Sequence, residues 1–251
     1  MRQARRVATR LWSVVFDTPS PASLATWWGE ALDWPGHYDD EESWLEPDGD
    51  HPGVYLVFVP VNDPKVVKNR VHLDLSSTDE DAQRATVARL VAAGAKHADI
   101  GQGEVPWVVL TDPQGNEFCV LEPRDEYADR GPLAAVLVDA LDPSALARFW
   151  VEASGWMLVR EGPGFASLQA PDRRGPYLEF VGASQPHEVK NRLHLDVTPR
   201  RDDDQRAEVE RLIRLGARRV DIGQSKAPPG EVTWEVLADP EGNEFCVLRP
   251  R

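Results

Sequence analysis

Two phrases, each written twice, constrain what this chain can fold into. Residues 67–75 read VKNRVHLDL, and residues 189–197 read VKNRLHLDV. Downstream of each comes a second phrase, DPQGNEFCVL at 112–121 and DPEGNEFCVL at 239–248. His72 and His194 lie 122 residues apart, and Cys119 and Cys246 lie 127 apart. Five extra residues therefore fall between the phrases of the second copy, around 226–230. A period this long is too large for a solenoid repeat and suits a duplicated domain. The 251 residues suffice for two such domains, each with its own core. We place the first at 1–126, with its core at about 9–124, and the second at 127–251, with its core at about 131–250. The stretch RDEYADRG at 124–131 is polar and aperiodic and reads as the linker.

Each copy opens on the same pattern. Residues 11–17 (LWSVVFD) are rich in β-branched and aromatic side chains and predict a strand. Ser20 follows as a helix N-cap, with Pro21 at the first helical position. Leu24, Trp27, Trp28 and Ala31 then form the apolar stripe of an amphipathic helix. The second copy repeats this with a strand at 134–139, Asp142 and Pro143 at the cap, and Leu146, Phe149, Trp150 and Ala153 in the stripe. Further strands are predicted at 43–46 and 53–60, with counterparts at 165–169 and 176–181. The first repeated phrase is a strand over 70–76. A helix over 79–93 follows, with Val87, Leu90 and Val91 inward and Gly94 as its stop. A loop with Gly101 and Gln102 leads to a strand at 107–111. Asp112-Pro113-Gln114-Gly115 then has the residues of a type I turn. Each copy is thus β-α-β-β-β written twice, an α+β chain of four such units.

Composition excludes several roles. The net charge of −14 offers no basic face for nucleic acid. No apolar run approaches the roughly 20 residues that cross a bilayer. The basic N-terminus, MRQARRVATR, is followed by no signal-peptide core, so a cytoplasmic location is expected. The two cysteines occupy equivalent places in the two copies and make no disulfide framework.

Taken in order, the strand, the capped helix with its F/W-W pair, K-N-R-x-H-L-D, L-x-x-x-G-A and W-x-V-L-x-D-P-x-G-N-E-F-C-V-L resemble the vicinal oxygen chelate superfamily. More narrowly they are similar to glyoxalase-like (glyoxalase/bleomycin resistance/dioxygenase) domains of the actinobacterial type. The resemblance implies tandem domains, each with two βαβββ units curled into a cupped mixed sheet with helices outside. It implies a metal site in some members and none in others. Carried over residue by residue, the ligand positions of that superfamily fall on Ser13, Val57, His72 and Cys119 in the first copy. In the second they fall on Ala135, Glu179, His194 and Cys246. Val57 and Ala135 cannot bind a metal, and cysteine stands where a glutamate is usual. Glu179, His194 and Cys246 remain as a three-ligand set suited to zinc in the second domain.

Strand alternation adds an independent constraint. His72 and Asp74 share one face of their strand, as do Glu117 and Cys119 of theirs. His194, Asp196, Glu244 and Cys246 repeat the arrangement. Three readings stay open for these clusters: a buried structural network, polar contacts for a small molecule, and a metal site. Trp44 has no aromatic twin, Ala166 standing opposite it, and could stack on a flat ligand. Trp12 likewise faces Ala134. Gln102 and Gln224 recur in D-I-G-Q loops as polar contacts. The expected function is that of a small-molecule-binding protein of the glyoxalase/bleomycin-resistance type with no cofactor; its ligand is not named by the sequence, and sequestration of an aromatic compound is one form it could take. The alternatives are a metal-dependent lyase or isomerase with its site in the second domain, and a ligand-free interaction module. A monomer or weak homodimer is expected, because the fusion supplies internally what single-domain members gain by pairing.

Overall fold

The computed structural model describes residues 9–47, 53–223 and 233–251. Gln224 and the extra residues of the second copy lie outside them. The first unit comprises β1 (Thr9–Thr18), α1 (Pro21–Leu32), β2 (Gly36–His37), β3 (Ser43–Leu45) and β4 (Tyr55–Pro60). The second comprises β5 (Val71–Leu75), α2 (Glu80–Ala92), β6 (Lys96–His97), β7 (Val108–Thr111) and β8 (Glu117–Val120). A one-turn 3-10 helix, Asp125–Tyr127, leads into the second copy. There, β9 (Leu133–Ala140), α3 (Pro143–Ser154), β10 (Met157–Gly162), β11 (Phe165–Gln169) and β12 (Tyr177–Gly182) form the third unit. The fourth contains β13 (Leu193–Pro199), α4 (Gln205–Arg214), β14 (Arg218–Arg219), β15 (Glu235–Ala238) and β16 (Glu244–Val247). The periodicities thus resolve into four units of the expected kind. Two local readings change. The Ser20 side chain makes no cap hydrogen bond, whereas Asp142 caps its helix by accepting from the Ala145 N–H. Val91 of α2 is exposed, and Leu90 alone of that helix is buried.

The sheets do not follow the sequence copies. One is ordered β14-β15-β16-β13-β1-β4-β3-β2 and joins the first unit to the fourth. The other is ordered β10-β11-β12-β9-β5-β8-β7-β6 and joins the second to the third. At the centre of the first sheet β1 runs antiparallel to β13, with Ser13 opposite Asp196 and Val15 opposite His194. At the centre of the second, β5 runs antiparallel to β9, with Asp74 opposite Ala135 and His72 opposite Leu137. The short linker accounts for half of this: β8 and β9 are close in sequence and enter the same sheet, as consecutive elements usually do.

The copies are held together internally from behind. Val14 and Phe16 of β1 face away from the cup into a core continuous across both sheets. Trp28 of α1 meets Phe118 of β8 at 5.1 Å, and Trp150 meets Phe245 at 5.3 Å, both edge-to-face. Each indole also donates 3.2 Å to the turn aspartate, Trp28 to Asp112 and Trp150 to Asp239. That aspartate accepts further from the turn: Asp112 from Gln114 N, Asn116 N and the Asn116 side chain. Gly115 closes the turn at φ +84°, where a side chain would be strained. The D-P-x-G-N phrase is therefore a structural joint between the two units of one copy.

The K-N-R phrase makes the joints between copies. Lys68 pairs with Asp139 at the end of β9, and Lys190 pairs with Asp17 at the end of β1. Arg70 reaches Asn243 Oδ1 at 2.9 Å and the Gln185 carbonyl at 2.6 Å. Arg192 donates to the carbonyls of Asp63 and Asp17.

Candidate functional site

The first sheet curls around a cavity of about 310 Å³. Its walls carry Trp12, Val15, Val57, Val59, Trp234 and Leu248, with the charged Asp17, Glu41, Glu42 and Arg251 among them. Its floor is polar, carrying Ser13, His194, Asp196 and Cys246. Alternation on β13 sends His194 and Asp196 to this face, and β16, pairing in parallel with Asp196 opposite Cys246, brings the thiol beside them. His194 Nε2 lies 3.5 Å from Asp196 Oδ1 and 3.7 Å from Cys246 Sγ. Ser13 Oγ donates to Asp196 Oδ2 at 3.2 Å, while the buried Oδ1 has no hydrogen-bond partner. Burial pushes the Asp196 carboxyl up to about 6, with His194 and Ser13 opposing it. Burial and the neighbouring Asp196 also raise the Cys246 thiol well above its usual range. Both groups converge on the same imidazole nitrogen. A relay needs the carboxylate on the far nitrogen and a thiol that ionises readily. This is no nucleophilic triad.

The second sheet carries the same floor. His72 Nε2 lies 3.5 Å from Asp74 Oδ1, and Cys119 stands opposite Asp74 on β8. Burial, helped by Lys68, holds His72 neutral down to about pH 3. Burial, reinforced by the charge of Glu179, raises Asp74 to about 7. Here, however, the cup is filled. Tyr127, from the linker, inserts its ring among Val109, Cys119, Leu121, Ala134, Ala135 and Tyr177. Its hydroxyl donates to Glu179 Oε2 at 3.1 Å. A stretch read as polar linker thus supplies the side chain that closes this cup.

The tertiary structure redistributes the site residues predicted from sequence. Glu179 lies on β12 of the second sheet, whereas His194 and Cys246 lie on the first. The proposed ligand set of Glu179, His194 and Cys246 is not assembled, because the strands pair across copies. Glu179 is instead bound by Arg160 at 2.7 Å and by Ser167 at 2.8 Å. Glu117 and Glu244 are used by the loops before β5 and β13. Glu117 accepts from Lys65 and Asn69 N, and Glu244 from Asn191 N while facing His187 Nε2 at 3.1 Å. Burial alone would raise the Glu244 carboxyl; the His187 and Asn191 hydrogen bonds outweigh it and leave it low. Trp44 stands opposite Val57, on the cup face of the first sheet. It does not line the cavity and stacks on His37 at 4.2 Å. Gln102 accepts from Ile100 N within its own loop. It borders a separate groove of about 650 Å³ between the loops at 100–102 and 182–191. Trp12, Ser13, Trp234 and Arg251 complete the first cup. The signal for Trp12 was its missing aromatic twin.

Two donor sets of mixed chemistry result: His194, Asp196 and Cys246 in the first cup, and His72, Asp74 and Cys119 in the second. In each, one donor atom from every residue lies within 4.8 Å of the others. Tetrahedral zinc with bonds of about 2.0–2.3 Å spaces its ligand atoms about 3.3–3.8 Å apart. The 3.5 and 3.7 Å separations in the first cup fall in that range. Its unpartnered carboxylate oxygen is what a cation would satisfy, so these residues fit such an ion.

Paired βαβββ units closing two cups, with histidines on the central strands, define a protein of the vicinal oxygen chelate class. The model of the glyoxalase-like domain matches residues 13–121 and again 135–248, and the chain belongs to that family. Among solved structures it is similar to glyoxalase I from Zea mays, at 14% identity over 96% of this chain and 92% of that one, with a TM-score of 0.65. It is also similar to a putative dioxygenase from Bacillus subtilis, at 12% identity over 98% and 86% of the two chains, with a TM-score of 0.62. These likenesses show the fold. A comparison with curated proteins gave no match. Among the described residues no helix is long and apolar enough to cross a membrane.

Proposed function

We propose that the chain binds a small, largely apolar molecule in the cup of the first sheet. One observation carries this reading: a cavity of about 310 Å³ with tryptophan and valine walls and a polar floor. Small-molecule sites combine an apolar enclosure with few convergent polar groups. The floor of Ser13, His194, Asp196 and Cys246 suits a ligand with one polar group, and Trp234 offers an aromatic wall, Trp12 being itself stacked on Tyr55 at 4.9 Å. Sequestration of an aromatic compound requires no more than this. Aromatic ligands would then quench tryptophan fluorescence, and Val57→Trp, which puts an indole into the cavity, would weaken binding at least tenfold. Ligands that bind the wild type and Val57→Trp equally well would sink the proposal, as would a broad aromatic library without a binder.

A second reading has its own support. His194, Asp196 and Cys246, on the floor of the cavity, would hold a divalent ion such as zinc. Such an ion would supply Lewis-acid polarisation of a bound oxygen, as lyase or isomerase chemistry needs. The chain's own part would be to hold the molecule against Val15, Val57 and Trp234 and to exclude water around it.

A further inference from the structure

We infer that the second cup is also a ligand site, for a monocyclic phenol, and that Tyr127 occupies it in cis. The two cups share their topology and their His-Asp-Cys floor. In the first, the space above the floor is a cavity. In the second it holds a side chain from outside all four βαβββ units. Tyr127 is 5% exposed, while Asp125, Glu126, Ala128 and Asp129 around it are exposed. The pocket it fills belongs to an apolar cluster separate from the main core.

The contacts of the tyrosine are those of a recognised ligand. Its ring meets Tyr177 edge-on at 5.9 Å, and the guanidinium groups of Arg124 and Arg160 lie 5.7 and 5.9 Å from its centre. Its hydroxyl is read by Glu179. That carboxylate is positioned independently of Tyr127, because Arg160 and Ser167 hold its other oxygen. The acceptor therefore stays in place if the tyrosine leaves. Ala134 and Ala135 stand where the first cup has Trp12 and Ser13, and they make room for the ring. The tether is one 3-10 turn, with Glu126 paired to Arg160 at 2.9 Å and Arg130 fastened to the Arg173 carbonyl beyond it. A free phenol and Tyr127 thus compete for one pocket. Apolar cavities of about 150 Å³ left by side-chain truncation bind benzene-sized molecules, and the hydroxyl partner adds selectivity.

The test uses the full chain in a Val57→Trp background and reads only the change that Tyr127→Ala makes, so that ligands entering the first cup cancel. Binding of 4-fluorophenol and 4-fluorotoluene is followed by fluorine NMR with and without Tyr127→Ala. Removing the tyrosine is expected to tighten 4-fluorophenol binding at least tenfold. The same variant is expected to favour 4-fluorophenol over 4-fluorotoluene about tenfold, the effect of a hydrogen bond to a charged acceptor. Equal binding of the two probes, or no gain over the parent, overturns the inference. If Tyr127→Ala does not fold, Tyr127→Phe serves instead. It keeps the ring but loses the Glu179 contact, so 4-fluorophenol should displace it more readily than it displaces tyrosine. Unchanged binding there overturns the inference equally.

Discussion

Asp74→Asn isolates the electrostatics of the second cup. In the folded chain Asp74 keeps its proton to about pH 7, whereas an unfolded aspartate loses it near 3.8. Between those values the folded state binds one proton more than the unfolded state, so this group makes stability fall as pH rises. Each pH unit costs about 1.4 kcal/mol, and the full penalty above pH 7 is about 4 kcal/mol. His72 acts in the opposite sense. It is neutral in the fold to about pH 3, while an unfolded histidine gains its proton near 6.5. Its contribution is complete above pH 6.5 and is lost as pH falls toward 3. From about pH 4 to 6.5 the two slopes cancel, and the wild-type pair leaves stability flat. Asparagine keeps the shape and removes the charge. The variant should be about as stable as wild type at pH 4 and about 4 kcal/mol more stable at pH 8. It should also expose the His72 slope, losing about 1.4 kcal/mol per pH unit below 6.5. Urea unfolding of chelator-treated protein at half-unit steps from pH 4 to 8 measures the difference. A difference independent of pH would refute the reasoning, because it would mean that Asp74 is ionised throughout at no cost.

Two other outcomes are expected. Protein prepared without chelators should take up about one zinc per chain if the first cup holds a metal, and His194→Ala or Cys246→Ser should abolish it. Elemental analysis decides, and uptake that survives both substitutions removes that ligand set. A chain cut within the linker, giving residues 1–123 alone, should not form a stable monomer, because β1 would lose β13 and β5 would lose β9. Sedimentation should show self-association or unfolding that residues 124–251 reverse in trans; a monomer with native spectra would contradict the exchanged sheets.

The duplicated phrases were enough to read four βαβββ units, because the residues that fix each element are local. Pro21 and Pro143 open helices, Asp112 and Asp239 close turns, and the W-W and F-W pairs mark the buried helix stripe. The same locality put His72 with Asp74 and His194 with Asp196, since a strand's alternation is set within the strand. Cys119 and Cys246 then met them across the β5–β8 and β13–β16 pairs. The place of Glu179, in the second cup and not beside His194, is set at a different level. Which strand lies beside β13 depends on contacts made more than a hundred residues away, and two near-identical copies offer β13 two chemically similar partners.

The sequence by itself determined the kind of unit, its number, and the polar residues each central strand presents. The tertiary structure alone decided that each cup draws one unit from each copy. It also decided that the cups differ. The floors are the same because the repeated phrases are the same. The contents differ because Tyr127 is a lone aromatic in a polar stretch, and no periodicity reveals that such a residue will turn inward. It is buried because the second cup, with Ala134 and Ala135 on β9, offers an apolar space next to the linker and a carboxylate for its hydroxyl.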